Sequence, residues 1–436
     1  MADQVDTAFV KLWGIQVGAV SWDHIGGFGT FEFDPLFIRH ELDVAPLKMP
    51  LADAADGITQ YDFRSLPRNT YMGLPGMLAD ALPDRFGNEV INAWLARQGR
   101  TPDSFNPVER LCYTGKRAMG ALEFSPILSS SLEESVSIEV GELVQLAQSV
   151  LMERANLEGE FETDPSEALL DILRVGTSAG GNRPKAIIAL NEETSEYRSG
   201  QVEAPEGFTY WVLKFDGVKD DTLRDPAGYG RIEYAYYLMA IDLGIIMNEC
   251  RLLEENGRAH FLTKRFDRGP GARKLHLQSL CAIAHYDFNS PGTYSYEQAF
   301  QVNRELKLPY SDSDQLYRRM LFNVVARNQD DHTKNIAYLM DTDGEWRLSP
   351  AFDVIYSYNP QGAWTSNHQM SIQGKTDDFS RKDLLNVASE MGIRDGEGII
   401  NQVIDGVSNW QRYAKDAGVS RRQANEISNA HRLDLD

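Results

Sequence analysis

The most restrictive feature of this sequence is a run of nine polar and charged residues, Arg327–Asn335 (RNQDDHTKN), between two apolar segments. Phe322–Ala326 before it has the composition of a helix end, and Ile336–Leu339 after it has that of a buried strand. A helix that ends in a charged loop and continues as a strand gathers carboxylates and amides at one point of the fold. Such a loop predicts either a catalytic centre or a solvated turn in which Asn and Asp cap their own backbone.

The spacing inside this run is that of a kinase catalytic loop. In such loops an Asp accepts the proton of the substrate hydroxyl, and an Asn five positions later holds a metal ion. Asp330 and Asn335 have this spacing, whereas Asp331 does not. His332 has no second His in an HExxH pair, so a zinc protease is not indicated. Asp330 is therefore a candidate base, with the solvated turn as the alternative.

A further carboxylate, Asp353, follows Asn335 by 18 positions in the segment Leu348–Ile355 (LSPAFDVI). The turn residues Asp341–Gly344 (DTDG) make the intervening stretch a predicted hairpin, which returns Asp353 to the side of Asn335. A carboxylate at that place can bridge Mg²⁺ ions that neutralise nucleotide phosphates. Kinases usually have Phe-Gly after this Asp, and here Val-Ile follows. The alternative is a hydrogen-bonded carboxylate in a buried turn.

Lys214 ends the apolar run Tyr210–Leu213 (YWVL). A lysine that emerges from a buried strand needs a partner, because an unpaired buried ammonium is costly. Glu233, at the start of the next predicted helix, is the candidate partner. Kinases use a strand Lys paired with a helix Glu to hold the α- and β-phosphates of ATP. The alternative is a Lys whose ammonium reaches solvent at the strand end.

A Gly-rich segment, Gly176–Lys185 (GTSAGGNRPK), is the candidate phosphate-binding loop. Closely spaced glycines let backbone N–H groups approach phosphates, and Arg183 and Lys185 add positive charge. The segment is not a Walker A loop, because Asn182 stands at the position of the required Lys, and it is not a GxGxxG loop. Thr177 and Ser178 supply hydroxyls inside the loop that can themselves be phosphorylated. The alternative is a plain turn between a helix and a strand.

The charge balance limits the partners of the chain. With 43 Lys and Arg against 64 Asp and Glu, the formal net charge is −21, so we do not expect it to bind nucleic acid or an anionic membrane by itself. The three cysteines, Cys112, Cys250 and Cys281, form no CxxC pair and are expected to be buried thiols. No apolar run approaches the roughly 20 residues of a membrane span. The first residues lack the pattern of a signal peptide, and we expect a cytoplasmic location.

Periodicity and turn signals divide the chain into three segments. Residues 1–127 are predicted to form a mixed α/β unit, followed by the Ser- and Glu-rich linker Ile127–Ser137. Residues 138–268 carry the Gly-rich loop and the lysine strand, and residues 269–436 are mostly helical and carry the catalytic-loop candidate. We therefore predict an α+β, protein-kinase-like fold with two lobes. The N-terminal lobe is mixed and preceded by an extra β-rich subdomain, and the C-terminal lobe is all-helical.

Four segments together resemble the HipA family, the serine/threonine kinase toxins of bacterial type II toxin–antitoxin systems. They are Ser178–Lys185 (SAGGNRPK), Lys264–Arg268 (KRFDR), Asp330–Asn335 (DDHTKN) and Pro350–Asp353 (PAFD). The resemblance covers almost the whole chain, including Leu82–Asp84 (LPD) in the first segment. The DxHxKN pattern followed by Phe-Asp is its specific part, whereas the Gly-rich loop alone would be a weak indication.

The resemblance implies a role for each matching residue. Asp330 would be the catalytic base, Asn335 and Asp353 the Mg²⁺ ligands, and Ser178 the inhibitory autophosphorylation site. Glu233 would pair with Lys214, and Lys264–Phe266 would be the segment between lobes that touches adenine. The residues that would contact ATP are Gly180, Gly181, Asn182, Arg183, Lys185, Lys214, Lys264, Arg265, Phe266, His332, Lys334 and Phe352.

Three positions depart from the best-known members of that family. Lys264 stands where those members have an acidic residue, Arg183 where they have an amide, and Asp331 where they have Gly. The first departure leaves a backbone contact to adenine but not a side-chain one. Asp331 places another carboxylate beside Asp330, and like-charge repulsion is expected to raise the pKa of one of the two.

The resemblance also implies a function and partners. Such a kinase would transfer the γ-phosphate of ATP to a protein serine, with an aminoacyl-tRNA synthetase, notably the glutamate enzyme, as the expected target. Translation would stall and growth would arrest. A small helix-turn-helix antitoxin (HipB-like) would hold the toxin and carry it to operator DNA. Two other interpretations stay open on the residues alone: a degenerate kinase fold that acts as a binding module or co-repressor, and a small-molecule kinase.

Overall fold

The computed structural model describes residues 5–84, 87–88, 91–92, 95, 99–128, 132, 135, 137–139, 141, 143–144, 184–217, 228–269 and 273–435. The chain divides into two compact units. The first unit comprises Met1–Ala45, Met49–Ala227 and Leu253–Leu277, and the second comprises Pro46–Lys48, Gly228–Leu252 and Gln278–Asp436. The domain limits predicted above, after residues 127 and 268, stay a prediction.

The first unit begins with a five-stranded sheet in the order β4-β3-β2-β1-β5. Alternate residues of its strands, such as Val10 and Leu12, are fully buried, as expected for a sheet with one covered face. Gly18 in β2 is required by the packing, because an added Cβ would lie 2.1 Å from the carbonyl oxygen of Glu32. The strands are β1 (Thr7–Leu12), β2 (Ile15–Asp23), β3 (Phe28–Phe33), β4 (Gln60–Tyr61) and β5 (Leu122–Ser125).

The structure describes four whole helices in the first unit. The longest begins after Asn106, whose side chain accepts a hydrogen bond from the Glu109 N–H, with Pro107 at its first position. The helices are α1 (Leu51–Ala55), α2 (Arg68–Tyr71), α3 (Gly76–Ala79) and α4 (Pro107–Thr114).

A second five-stranded sheet has the order β7-β6-β8-β10-β9 and carries the predicted lysine strand. Strand β6 is buried along six of its seven residues, which explains its continuous apolar run. Lys185 and Phe261 are the cross-strand neighbours of Lys214 on the two sides of β8. The strands are β6 (Lys185–Asn191), β7 (Glu196–Ser199), β8 (Thr209–Lys214), β9 (Cys250–Glu255) and β10 (Arg258–Lys264).

A buried charge cluster follows β10. Asp267 is completely buried and receives a bidentate hydrogen bond from Arg265 (2.9 and 2.7 Å). Arg268 (2.7 Å) and the backbone N–H of Gly120 (2.7 Å) donate to the same carboxylate. Burial alone raises the pKa of Asp267, but the two guanidinium charges and these hydrogen bonds outweigh it and hold that pKa well below its usual range. The cluster joins the end of β10 to the segment before β5.

The second unit is mostly helical. Helices α7 and α9 each begin with a reciprocal capping box, formed by Ser295 with Gln298 and by Ser380 with Asp383. Its helices are α5 (Tyr229–Asp242), α6 (Leu280–Ala284), α7 (Tyr296–Glu305), α8 (Tyr310–Val325), α9 (Arg381–Met391), α10 (Gly396–Ser408), α11 (Trp410–Asp416) and α12 (Arg421–Ala430). Within the described residues, no helix is long and apolar enough to cross a membrane.

The C-terminal region also contains β-structure, so the expected all-helical lobe needs correction. A three-stranded sheet has the order β11-β12-β13, from β11 (His276–Ser279), β12 (Ala337–Met340) and β13 (Trp346–Leu348). Strands β12 and β13 pair antiparallel, which confirms the hairpin predicted from the Asp341–Gly344 turn. These strands have only three or four residues each, so the region is still mostly helical.

Substitution of Asp267 tests how much the buried cluster stabilises the first unit. Asp267→Ala leaves two buried guanidinium groups without their carboxylate, and we expect a loss of roughly 3–5 kcal/mol in the free energy of unfolding. The measurement is chemical denaturation of the full chain at neutral pH. Asp62→Ala is the matched control, because Asp62 makes the same bidentate contact to an Arg two positions away, but at the surface. The control should lose about 0–1 kcal/mol, and equal losses would contradict the assignment.

Candidate active site

The catalytic-loop candidate begins where α8 ends. Arg327 takes a left-handed backbone conformation (φ 58°) directly after the helix, and residues 328–332 then run as an irregular loop. A single 3₁₀ turn, Thr333–Asn335, leads from this loop into β12. Helix, loop and strand therefore follow in the order predicted from the sequence, and the loop lies between two buried elements.

Asp330, the candidate base, is held at both its backbone and its carboxylate. Its N–H donates to Ser357 Oγ (3.1 Å), and its Oδ1 accepts a hydrogen bond from Trp364 Nε1 (2.6 Å). His332 Nε2 lies 3.9 Å from the same oxygen. Partial removal from water raises the pKa of Asp330, and the charges of Asp353 and Asp331 raise it further, against the opposing effects of His332 and Trp364. The expected effect of Asp331 is thus confirmed in direction, with desolvation as the larger cause.

Asp331 points away from the base and into the interior of the unit. Its Oδ2 accepts hydrogen bonds from Tyr296 Oη (2.9 Å) and His368 Nδ1 (2.8 Å), and its Oδ1 accepts from the backbone N–H of Gln369 (2.8 Å). Asn323 of α8 donates to Tyr296 Oη (2.9 Å), which extends the network. Only about 3% of Asp331 is exposed. Asp331 is therefore an internal acceptor, and the two consecutive aspartates have different surroundings.

Asn335 and Asp353 lie on the wall of one small cavity, of about 30 Å³, together with Asp331 and His332. Asn335 Nδ2 donates to the carbonyl oxygen of Asp330 (2.8 Å), which leaves its Oδ1 as the atom for another partner. Asp353 has a left-handed backbone conformation (φ 52°), uncommon for a residue other than Gly. An amide oxygen beside a carboxylate suits Mg²⁺, which prefers oxygen ligands. The donor set predicted from the sequence is therefore brought together.

Of the other nucleotide candidates in the second unit, His332 and Phe352 line this cavity. The His332 ring lies between Phe288 (5.4 Å between centroids) and Trp364 (6.5 Å), and its buried Nδ1 has no hydrogen-bond partner. Lys334 Nζ lies 4.9 Å from the centre of the Phe288 ring. Phe352 lines the cavity beside Asp353. An unsatisfied ring nitrogen at this place is a hydrogen-bonding group available to a ligand.

In the first unit, the two predicted phosphate lysines are cross-strand neighbours. Lys185 at the start of β6 is directly opposite Lys214 at the end of β8. Lys185 is about 4% exposed, and its Nζ lies 3.7 Å from Oδ2 of Asp84, which is equally buried. Lys214 Nζ lies 5.7 Å from the centre of the Phe261 ring. The carboxylate of Asp84 compensates the charge of Lys185, and sequence reasoning did not assign it this role.

The predicted adenine segment, Lys264–Phe266, follows directly after the same sheet. Arg265 is buried and commits its guanidinium to Asp267 and to the carbonyl oxygen of Gly200, so a nucleotide contact at this position would be through the backbone. Lys264 Nζ lies 5.8 Å from the Trp211 ring. Lys264 and Arg265 also line an open cavity of about 570 Å³ with the loop Glu203–Tyr210.

Some predicted residues are not tested by these contacts. Ser178, Gly180, Gly181, Asn182 and Arg183 lie outside the described residues. Glu233 is buried in α5, and its pairing with Lys214 stays a prediction.

Sequence reasoning missed three residues of the site: Ser357, Trp364 and His368. Trp364 contacts Asp330 and His368 contacts Asp331 across 34 and 37 positions of sequence. No periodicity or short motif marks them.

Comparison with known proteins places these motifs in a family. The model of the HipA-like C-terminal domain matches residues 177–430, more than half of the chain, and that of the HipA N-terminal domain matches residues 8–125. The chain belongs to the HipA family. This HipA-family chain is 23% identical over 319 residues to "Putative kinase Y4mE" of Sinorhizobium fredii (strain NBRC 101917 / NGR234). The matched region covers 70% of this chain and 64% of that protein, so less than two thirds of the relative is spanned.

Solved structures give the fold. A chain of the Shewanella oneidensis MR-1 toxin–antitoxin complex of HipA, HipB and operator DNA matches with a TM-score of 0.66 at 15% identity, over 97% of this chain and 94% of that chain. The Helicobacter pylori proinflammatory kinase CtkA matches with a TM-score of only 0.31 at 12% identity, over 50% and 92%. The HipA match confirms the predicted α+β, kinase-like fold of this HipA-family chain.

Substitution of Asp331 tests its role as the internal acceptor of the second unit. Asp331→Ala leaves Tyr296 Oη, His368 Nδ1 and the Gln369 N–H without their carboxylate, and we expect the free energy of unfolding to fall by on the order of 3 kcal/mol. Denaturant unfolding of the full chain measures it. Asp341→Ala is the control, because Asp341 accepts two backbone hydrogen bonds in an exposed turn and should lose much less. An Asp331→Ala protein as stable as this control would refute the role.

Proposed function

We propose that this protein is an ATP- and Mg²⁺-dependent serine/threonine protein kinase of the HipA toxin type. The observation that carries the proposal is the arrangement of Asp330, Asn335 and Asp353, in which a held carboxylate lies beside two oxygen donors that line one cavity. Family membership supports the same reaction class.

The residues present fit the nucleotide and the metal. Asn335 and Asp353 would hold Mg²⁺, and His332, with its unsatisfied ring nitrogen, would contact the nucleotide. Lys185 and Lys214, adjacent on neighbouring strands, would bind phosphate oxygens, together with the Gly-rich loop. Bound Mg²⁺–ATP supplies the phosphoryl group and the positive charge that neutralises it during transfer.

The chain itself positions the acceptor and takes its proton. Oδ1 of Asp330 is occupied by the Trp364 N–H, so Oδ2 is the atom that accepts the proton of the target hydroxyl. Burial raises the pKa of Asp330, which makes it a better proton acceptor than an ordinary carboxylate. The backbone bond of Asp330 to Ser357 and the bond from Asn335 to the Asp330 carbonyl oppose movement of the base. Catalysis of this kind is largely positioning.

The proposed partners follow from the family and from charge. A small HipB-like helix-turn-helix antitoxin would bind this chain, as HipB accompanies HipA in the Shewanella oneidensis complex with operator DNA. Because this chain carries a formal charge of −21, the antitoxin would provide most of the positive charge that DNA requires. The proposed target is a serine of an aminoacyl-tRNA synthetase, with the glutamate enzyme as leading candidate. Phosphorylation of Ser178 would limit the activity, and the unrestrained toxin would arrest growth.

The test of the proposed function is phosphoryl transfer by Asp330→Ala beside the unaltered protein. Purified full-length protein is incubated with Mg²⁺ and ATP, alone and with an aminoacyl-tRNA synthetase, and its peptides are analysed by mass, including the one that contains Ser178. Without the base, we expect transfer to fall by roughly 100-fold or more. Asp343→Ala, in the exposed turn before β13, is the control and should retain full transfer.

Full transfer by Asp330→Ala would exclude Asp330 as the base. ATP binding without transfer to any protein, by the unaltered chain, would instead favour the binding-module interpretation. Transfer to small alcohols alone would favour a small-molecule kinase.

A further inference from the structure

We propose that Trp364 is the positioning residue of the base: its indole N–H fixes Oδ1 of Asp330, and Asp331 secures the segment that carries Trp364. This inference rests on the proposed function, because it assigns Trp364 a part in the same reaction. It adds Trp364, which no motif marks, and Asp331, which stands at the variable second position of the DxHxKN pattern.

The contact itself allows one direction only. Indole Nε1–H is a donor without an acceptor, and an ionised carboxylate is an acceptor without a donor. The separation of 2.6 Å between Trp364 Nε1 and Asp330 Oδ1 is that of a short, charge-assisted hydrogen bond. Since the bond fixes one oxygen of a planar group, it also limits rotation of the carboxylate and sets the direction in which Oδ2 points.

Residues 364–369 form the segment that carries Trp364. Gln329, the residue before Asp330, binds this segment to the catalytic loop. Gln329 Nε2 donates to the carbonyl oxygen of Ser366 (3.3 Å). Gln369 Nε2 donates to the carbonyl oxygens of Trp364 and of Gln329. Both glutamine side chains thus join the loop and the segment, and both are buried.

Asp331 completes this attachment from the other side of the base. It accepts the His368 Nδ1–H and the backbone N–H of Gln369 at 2.8 Å each, within the same segment. The loop therefore holds the segment through Asp331, and the segment in return holds the base through Trp364. Tyr296 Oη, bound to both Asp331 and Asn323, ties this pair of contacts to α7 and α8.

The kinetic test uses Trp364→Phe in the full-length protein with Mg²⁺ and ATP. The change keeps an aromatic ring and removes the N–H, so we expect kcat to fall by roughly 10- to 100-fold, since misplacement of a reacting group costs about this much. ATP affinity should be unchanged, because Trp364 is not a nucleotide ligand in the proposed site. Trp13→Phe is the matched control, because Trp13 is also half-buried and donates its indole N–H to one oxygen, the carbonyl of Lys274 (2.7 Å).

A spectroscopic readout tests the contact without any reliance on activity. In ¹⁵N-labelled full-length protein, the indole N–H signal of Trp364 is identified by its loss in Trp364→Phe. We expect this signal to shift in Asp330→Ala, which removes the acceptor, and in Asp331→Ala, which loosens the segment. The indole signal of Trp13 should not move in either variant.

The outcomes separate this inference from the proposed function. If the unaltered protein transfers no phosphate to any substrate, the proposed kinase function is contradicted. The indole N–H signal of Trp364 still shows whether Trp364 is hydrogen-bonded to Asp330. An active protein in which Trp364→Phe keeps full kcat overturns the inference and leaves the kinase intact. A Trp364 signal that ignores Asp330→Ala overturns it as well, and one that ignores Asp331→Ala overturns the role of Asp331.

Discussion

The geometry of the second unit depends on one buried carboxylate, that of Asp331. A carboxylate removed from water is costly unless hydrogen bonds replace its hydration, so its donors must be supplied by the fold. Tyr296, His368 and the backbone of Gln369 supply them from two separate stretches of chain. Asp331 directly follows Asp330 in the sequence. The hydrogen bonds that hold Asp331 therefore also limit the directions in which the side chain of Asp330 can point.

The first unit also buries charges that need partners, but in its two clusters the cations outnumber the carboxylates. Asp267 is one carboxylate between two guanidinium groups, Arg265 and Arg268. Lys185 and Lys214 are likewise two cations on neighbouring strands, where like charges directly opposite each other are unfavourable. Asp84 offsets part of that cost from a distant part of the chain. Two cations on neighbouring strands are an arrangement that a bound anion would stabilise further.

What could be predicted from the sequence was determined by local spacing. Asp330 and Asn335 are only five positions apart, so the sequence alone brings them close. The turn residues Asp341–Gly344 indicate the hairpin that returns Asp353, so the wall of the cavity could be predicted. The lysine strand was recoverable because its apolar run is continuous. The roles of Trp364 and Asp84 could not be predicted. Trp364 contacts a residue 34 positions away and Asp84 one 101 positions away, and no periodicity in the sequence indicates contacts over such separations. The all-helical expectation failed where three strands of three or four residues each form a sheet.

The position of Asp331 shows why family motifs cannot be transferred one residue at a time. Within the DxHxKN pattern, the variable position looks like a place where any residue is tolerated. In this chain that position carries the acceptor for residues 368 and 369, and those residues belong to the segment that donates to the base. Asp331 and Trp364 are therefore coupled through the segment of residues 364–369, because Asp331 binds one part of it and Trp364 lies in another.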